Sequence, residues 1–149
     1  MTNALPEILH PRFVKLDLAT EEKAEAIGEV AALLAKSGSI SDPGRFLREL
    51  LARDELSSTV VGHGIAFPHA RTDCVSELLI GAGRSESGVR FGDERVHLVF
   101  VIGTPPSKIK EYLVAVGALA RLVKNEATRE QLLHAETAED FTRCLCGTK

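Results

Sequence analysis

An α/β sandwich is the fold class that this chain predicts, and three observations carry it. Val96 to Ile102 is almost unbroken in apolar residues, as a strand buried on both faces tends to be. Segments with apolar residues spaced by three and four lie before and after it, several opened by a capping residue or a proline. Strand-like and helix-like segments therefore alternate, and interleaved elements of this kind pack as layers.

Taken in order, Phe13 to Leu18 alternates apolar and charged residues as a half-buried strand does, with Phe13, Lys15 and Asp17 opposite Val14, Leu16 and Leu18. The first helix is predicted to start at Thr20, an N-cap followed by Glu21 and Glu22, and to end before Gly38. Its apolar face is Ile27, Val30, Ala31 and Leu34. Asp42 before Pro43 marks a second helix start, an N-cap followed by proline at the first helical position. Phe46, Leu47, Leu50 and Leu51 form its buried stripe and bring Arg53 to its end.

Leu78 to Gly83 and Val96 to Ile102 read as strands, the second central, with a turn at Ser85-Glu86-Ser87-Gly88 between them. After Thr104-Pro105-Pro106 a long helix is expected from Ile109 to Lys124, with Leu113, Val116, Ala120 and Val123 on one face. Two shorter helices follow, the last opening with Thr137-Ala138-Glu139-Asp140, close to a capping box. Repeats, low-complexity tracts and linkers are absent, so residues 1–149 read as one domain.

Bulk properties exclude several functions. At 149 residues with 44% apolar, the chain can bury a substantial core. A net charge of -3 and an isoelectric point near 6.0 leave no basic footprint, which argues against a nucleic-acid partner. No apolar run is long enough to span a bilayer, and Met1 to Pro6 lacks the basic-then-apolar order of a signal peptide. A cytoplasmic location without membrane insertion is expected. Cys74, Cys144 and Cys146 are odd in number and lack CxxC pairing, so free thiols are expected rather than a disulfide framework or zinc site. No metal and no cofactor is implied.

The most informative stretch is Thr59-Val60-Val61-Gly62-His63-Gly64-Ile65-Ala66-Phe67-Pro68-His69-Ala70. It places an imidazole at the end of an apolar, glycine-flexed strand. Gly62 and Gly64 permit backbone conformations or approaches that a Cβ forbids, while Pro68 fixes its own φ and biases Phe67 toward extended geometry. A histidine so held is a nucleophile near neutral pH, and phosphoryl transfer suits it. Alone, the Pro68-His69 pair also fits a packed strand end whose imidazole only hydrogen-bonds the backbone. Arg53 alone fits the last turn of a helix, complementing its dipole. Its fork of donors, permanently charged, also suits phosphoryl oxygens. Backbone N–H groups around Gly62 to Gly64 could add an anion nest.

Arg53, Ser58-Thr59-Val60-Val61-Gly62 and Gly64-Ile65-Ala66-Phe67-Pro68-His69 together resemble the enzyme IIA family of the bacterial phosphotransferase system, in its fructose/mannitol and nitrogen-regulatory branch. The likeness continues through Gly88-Val89-Arg90-Phe91, Val96-His97-Leu98-Val99-Phe100 and the proline-led helix containing Leu113, and so covers most of the chain. It implies a mixed sheet with helices on both sides. It also implies that His69 receives phosphate from the phosphocarrier HPr, with Arg53 beside it. Thr59, Gly62 and Gly64 are read from the residues themselves as neighbouring binding positions. Relatives can be fused to a IIB domain that takes the phosphate onward; this chain has no length left for one.

There is one departure. Many members carry a second histidine seven residues after a proline, and counting seven from Pro105 reaches Tyr112. Either its hydroxyl supports the phosphate or it is an amphipathic helix residue that packs its ring and wets its hydroxyl. Among the other histidines, His63 reads as a loop residue between glycines, His97 as capping the sheet edge at the start of the central strand, and His10 and His134 as surface residues. No GxSxG elbow, Gly-Lys-Ser/Thr loop or HExxH is present, so hydrolase and nucleotide-kinase functions have no supporting motif. Two readings stand: a carrier that takes phosphate from HPr on His69 to a IIB partner in sugar uptake, or a regulatory module whose phosphorylation state alters its grip on a transporter or kinase.

Overall fold

In the computed structural model, which describes residues 5–146, side chains of the most buried strand alternate between two apolar clusters. Leu98, Phe100 and Ile102 enter one, and Val99 and Val101 enter the other. A strand buried on both faces needs a helical layer on each side, and the chain supplies both.

In chain order the elements are α1 (Leu5–Ile8), a 3-10 turn (Pro11–Phe13), β1 (Val14–Lys15), α2 (Lys23–Ala35), α3 (Pro43–Leu56), β2 (Val60–Gly62), β3 (Ile65–Ala66), β4 (His69–Arg71), β5 (Leu79–Phe91), β6 (Glu94–Thr104), a second 3-10 turn (Pro106–Lys108), α4 (Ile109–Lys124), α5 (Glu126–His134) and α6 (Ala138–Cys146). The sheet runs β1-β5-β6-β3-β2, and β4 follows β3 along β6. β5 and β6 are antiparallel, while β1 on β5 and both β3 and β4 on β6 are parallel. One face packs Ile27, Val30, Leu34, Phe46 and Leu50 of α2 and α3. The other packs Leu5, Ala115, Leu119, Leu132 and Phe141 of α1, α4, α5 and α6. The mixed central sheet with helices on both sides is thus the observed architecture.

Several local expectations change. The strand foreseen over Phe13 to Leu18 is only Val14–Lys15, paired with Ala82 and Gly83. Phe13 belongs to the preceding 3-10 turn and is buried. Beyond β1 the chain still hugs β5, since Leu18 N donates to Arg84 O. Helix α2 begins at Lys23 rather than after Thr20, because Glu22 is held extended in a bridge with Arg90. Thr20 Oγ1 instead accepts from Glu22 N and donates to Glu25.

The turn expected at Ser85 to Gly88 lies inside β5, where the register against β6 breaks between Arg84 and Val89. Ser85 Oγ takes up Gly88 N, so the polar run is an irregularity in the strand. The reversal comes after Phe91, at Gly92 and Asp93. In α4 the buried face is Ala115, Leu119 and Val123, with Leu113 62% exposed. Apolar residues cover more than half of that helix's circumference, so periodicity alone leaves its rotation open. Asp42 and Pro43 open α3 as expected, Asp42 Oδ1 accepting from Arg45 N. Thr137 Oγ1 likewise accepts from Asp140 N at the start of α6.

Cys74 is buried and Cys144 half-buried, both free. Met1 to Ala4 and the Cys146 side chain lie outside the described residues. Among the described residues no helix is long and apolar enough to cross a membrane, and no group of three or more His, Cys, Asp or Glu could hold a metal.

Candidate functional site

Three short strands replace the single strand that was expected to end at His69. Gly62, His63 and Gly64 all have positive φ, 101°, 58° and 74°, and this tight turn folds β3 back on β2. Pro68 then interrupts β6's edge pairing because it has no N–H to give, although its carbonyl still accepts from Ile102 N. His69 opens β4 opposite Ile102 rather than closing a strand.

Its imidazole is oriented by the backbone. Nδ1 of His69 lies 2.9 Å from the carbonyl oxygen of Phe67. A carbonyl only accepts, so Nδ1–H donates and Nε2 keeps its lone pair. Tyr112 flanks the ring at 6.0 Å between centroids, tilted by 40°.

Two hollows meet at this pair, and Arg53, His69 and Tyr112 line both. Glu49, Ala70, Arg71, Thr104 and Ile109 complete the first. Ser58, Thr59, Val60, Val61, Phe67, Ile102 and Val116 complete the second. Arg53 comes from the last turn of α3, where Nη1 donates to the carbonyl and hydroxyl of Ser57, each at 3.3 Å. Burial pushes the Tyr112 phenol above its ordinary range, and the charges of Arg53 and Arg71 oppose that rise. At neutral pH the phenol is therefore an uncharged donor beside two guanidinium groups.

Thr59 faces inward. Its hydroxyl donates to the buried Asp54 carboxylate at 2.6 Å. Gly62 and Gly64 line neither hollow. They lie toward the other end of α4, where Gly62 and His63 face Ala120, Val123 and Lys124, and Gly64 O accepts from His97 N and Leu98 N. Their amides form no nest beside His69. His63 is exposed, as are His10 and His134, whereas His97 lies inside β6 with Nδ1 against Ser85 O at 2.9 Å instead of capping an edge.

Arg71 and Glu49 were not singled out from the sequence. Arg71 follows His69 by two residues on one strand, and the two-residue period puts both on the same side, which was a readable signal. Glu49 sits one turn before Arg53 on α3. Its carboxyl is held below the usual range chiefly by a hydrogen bond from Arg45, then one from Thr72. The hollow thus presents two cations and one well-paired anion around an imidazole lone pair. That arrangement can take a small dianion in line with Nε2.

Comparison with known proteins gives this geometry a family. The family model described as phosphoenolpyruvate-dependent sugar phosphotransferase system, EIIA 2, matches residues 7–146. A fructose-specific EIIABC component of the phosphotransferase system from Bacillus subtilis is 35% identical over 91% of this chain, which spans only 22% of that protein's length. The nitrogen regulatory protein IIA-Ntr from Neisseria meningitidis superposes with a TM-score of 0.87 at 28% identity, covering 95% of this chain and 98% of its own. The mannitol enzyme IIA of Escherichia coli, solved in complex with phosphorylated enzyme IIB, gives 0.80 at 25% identity, covering 93% and 96%. The chain belongs to the EIIA 2 family of the phosphoenolpyruvate-dependent sugar phosphotransferase system.

Proposed function

We propose that this protein is a phosphohistidine carrier, acting as one domain in the cytoplasm, that accepts phosphate from phospho-HPr on Nε2 of His69 and passes it to a IIB partner. The observation that carries this reading is the Nε2 lone pair of a backbone-held imidazole in a hollow shared with Arg53 and Arg71. In the transfer, the Nε2 lone pair forms a bond to phosphorus as the bond from phosphorus to the donor's nitrogen breaks, and that nitrogen leaves with the electron pair. Positive charge develops on the His69 ring, and the Phe67 carbonyl on Nδ1–H stabilises it. Arg53 and Arg71 neutralise the phosphoryl oxygens, and Tyr112 can donate to one of them. The same steps in reverse deliver the group to the recipient.

A regulatory reading has its own support in Tyr112 standing where a second imidazole was expected and in the likeness to IIA-Ntr. Under it, the phosphoryl group adds roughly two negative charges at His69 and alters the grip on a partner protein. Intact-protein mass after incubation with phosphoenolpyruvate, enzyme I and HPr tests the shared first step. One acid-labile phosphoryl unit on the wild type and none on His69→Ala is expected. An unmodified wild type beside phosphorylated HPr would overturn the carrier reading.

A further inference from the structure

The pairing of Nδ1 of His69 with the Phe67 carbonyl is the last link of a longer chain of contacts. Lys23 Nζ sits 2.6 Å from Asp54 Oδ2. Asp54 Oδ1 accepts from Thr59 Oγ1, also at 2.6 Å. The Thr59 carbonyl accepts from Phe67 N at 2.9 Å. The Phe67 carbonyl then accepts from His69.

We propose that Lys23, Asp54 and Thr59 are positioning residues that set the tautomer and aim of His69 through the Phe67 peptide. This rests on the carrier reading for its purpose, though not for its geometry.

The Asp54 side chain is only 3% exposed, and a carboxylate taken out of water is costly unless both oxygens are engaged. Here one oxygen holds Lys23 and the other holds Thr59. Replacing such a pair with apolar residues is often neutral or stabilising in proteins, so stability alone gives this aspartate little reason to be here. Its position supplies one. Asp54 follows Arg53 directly in the last turn of α3, so anchoring Asp54 also anchors the turn that presents the guanidinium. Thr59 then reaches across to the strand carrying the nucleophile.

Phe67 is the point of control because both its neighbours are already fixed. Pro68 biases Phe67 to extended backbone and is itself tied to Ile102 through its carbonyl. On the other side the Phe67 N–H is tied to Thr59. With the ring of Phe67 buried edge-on against Phe100, little freedom remains for its carbonyl. Loosening Thr59 frees one side of that clamp.

The test reads the tautomer of His69 in the unphosphorylated protein by long-range proton–nitrogen NMR, at a pH where the imidazole is neutral, together with the rate of phosphorylation by phospho-HPr. Wild type and Thr59→Ser are expected to show the Nδ1–H form alone. Thr59→Val is expected to populate both tautomers and to accept phosphate more slowly, by up to roughly a hundredfold, the scale of a misaimed reacting group. Lys23→Gln, at the outer end of the chain of contacts, is expected to fall between them and serves if Thr59→Val does not fold. A folded Thr59→Val with the wild-type tautomer and rate overturns the proposal, as does an unshifted Lys23→Gln where Thr59→Val cannot be read. A wild type that takes no phosphate, beside variants whose tautomers shift as described, would sink the carrier reading and leave the positioning role standing.

Discussion

Arg53 and His69, sixteen residues apart in sequence and on different elements, line the same two hollows together with Tyr112. Helix α3 ends where β4 begins its run along β6, so the cation and the nucleophile meet at one edge of the sheet. Phosphoryl transfer needs this juxtaposition more than it needs covalent chemistry from the protein, because most of the catalytic work is alignment and charge neutralisation.

Replacing His69 with alanine should abolish phosphate uptake while sparing the fold. The ring is half-buried at the sheet edge and gives up one hydrogen bond, worth about 1 kcal/mol. Urea unfolding should show a loss of that order. A much larger loss would mean that His69 is chiefly a packing residue.

Arg53→Ala and Arg71→Ala should each slow phosphorylation by roughly a hundredfold to a thousandfold, the range expected when one donor to developing charge is removed. Single-turnover rates with phospho-HPr measure this. Unchanged kinetics for Arg53→Ala would return it to a helix-end charge, and for Arg71→Ala to a solvated strand residue.

Tyr112 carries a prediction about alkaline pH. Burial raises the folded phenol above its unfolded value of about 10, so the folded state holds its proton more tightly than the unfolded chain. The corresponding stability is fully present below about pH 10 and is lost as pH rises through the folded value. Urea midpoints at pH 9 and pH 11 should therefore fall further for wild type than for Tyr112→Phe. Parallel falls would contradict the buried phenol.

Gly103 gives a test of the packing beneath the site. A Cβ there would meet the Phe46 ring at 2.9 Å, and Phe46 is buried in the core. Gly103 also pairs with Ala70, next to His69. Gly103→Ala should destabilise by about 1–3 kcal/mol, read from chemical denaturation, and the displacement should slow phosphate uptake. A neutral effect on both would show that Phe46 can retreat freely.

Much of this was legible before the fold. Asp42 with Pro43, the apolar run from Val96 and the Pro68-His69 pair each carry local chemistry that the structure keeps. Less legible were features set by distant partners. Glu22 is drawn extended by Arg90 across the sheet, which shortens α2. Ser85 to Gly88 looks like a turn because it is polar, yet β5 carries it as a strand irregularity against β6. Gly62 and Gly64 were associated with His69 by sequence proximity, whereas the parallel pairing of β3 and β4 with β6 spreads them along the sheet. Asp54 reads as one more charge in a charged helix end, and only its burial against Thr59 and Lys23 distinguishes it.

The most direct measurement of the central claim is nitrogen–phosphorus correlation NMR on the nitrogen-15-labelled protein after phosphorylation by phosphoenolpyruvate, enzyme I and HPr. The geometry predicts a single phosphoryl group bonded to Nε2 of His69, since Nδ1 is occupied by the Phe67 carbonyl. Phosphate on Nδ1, or on any residue other than His69, would contradict it.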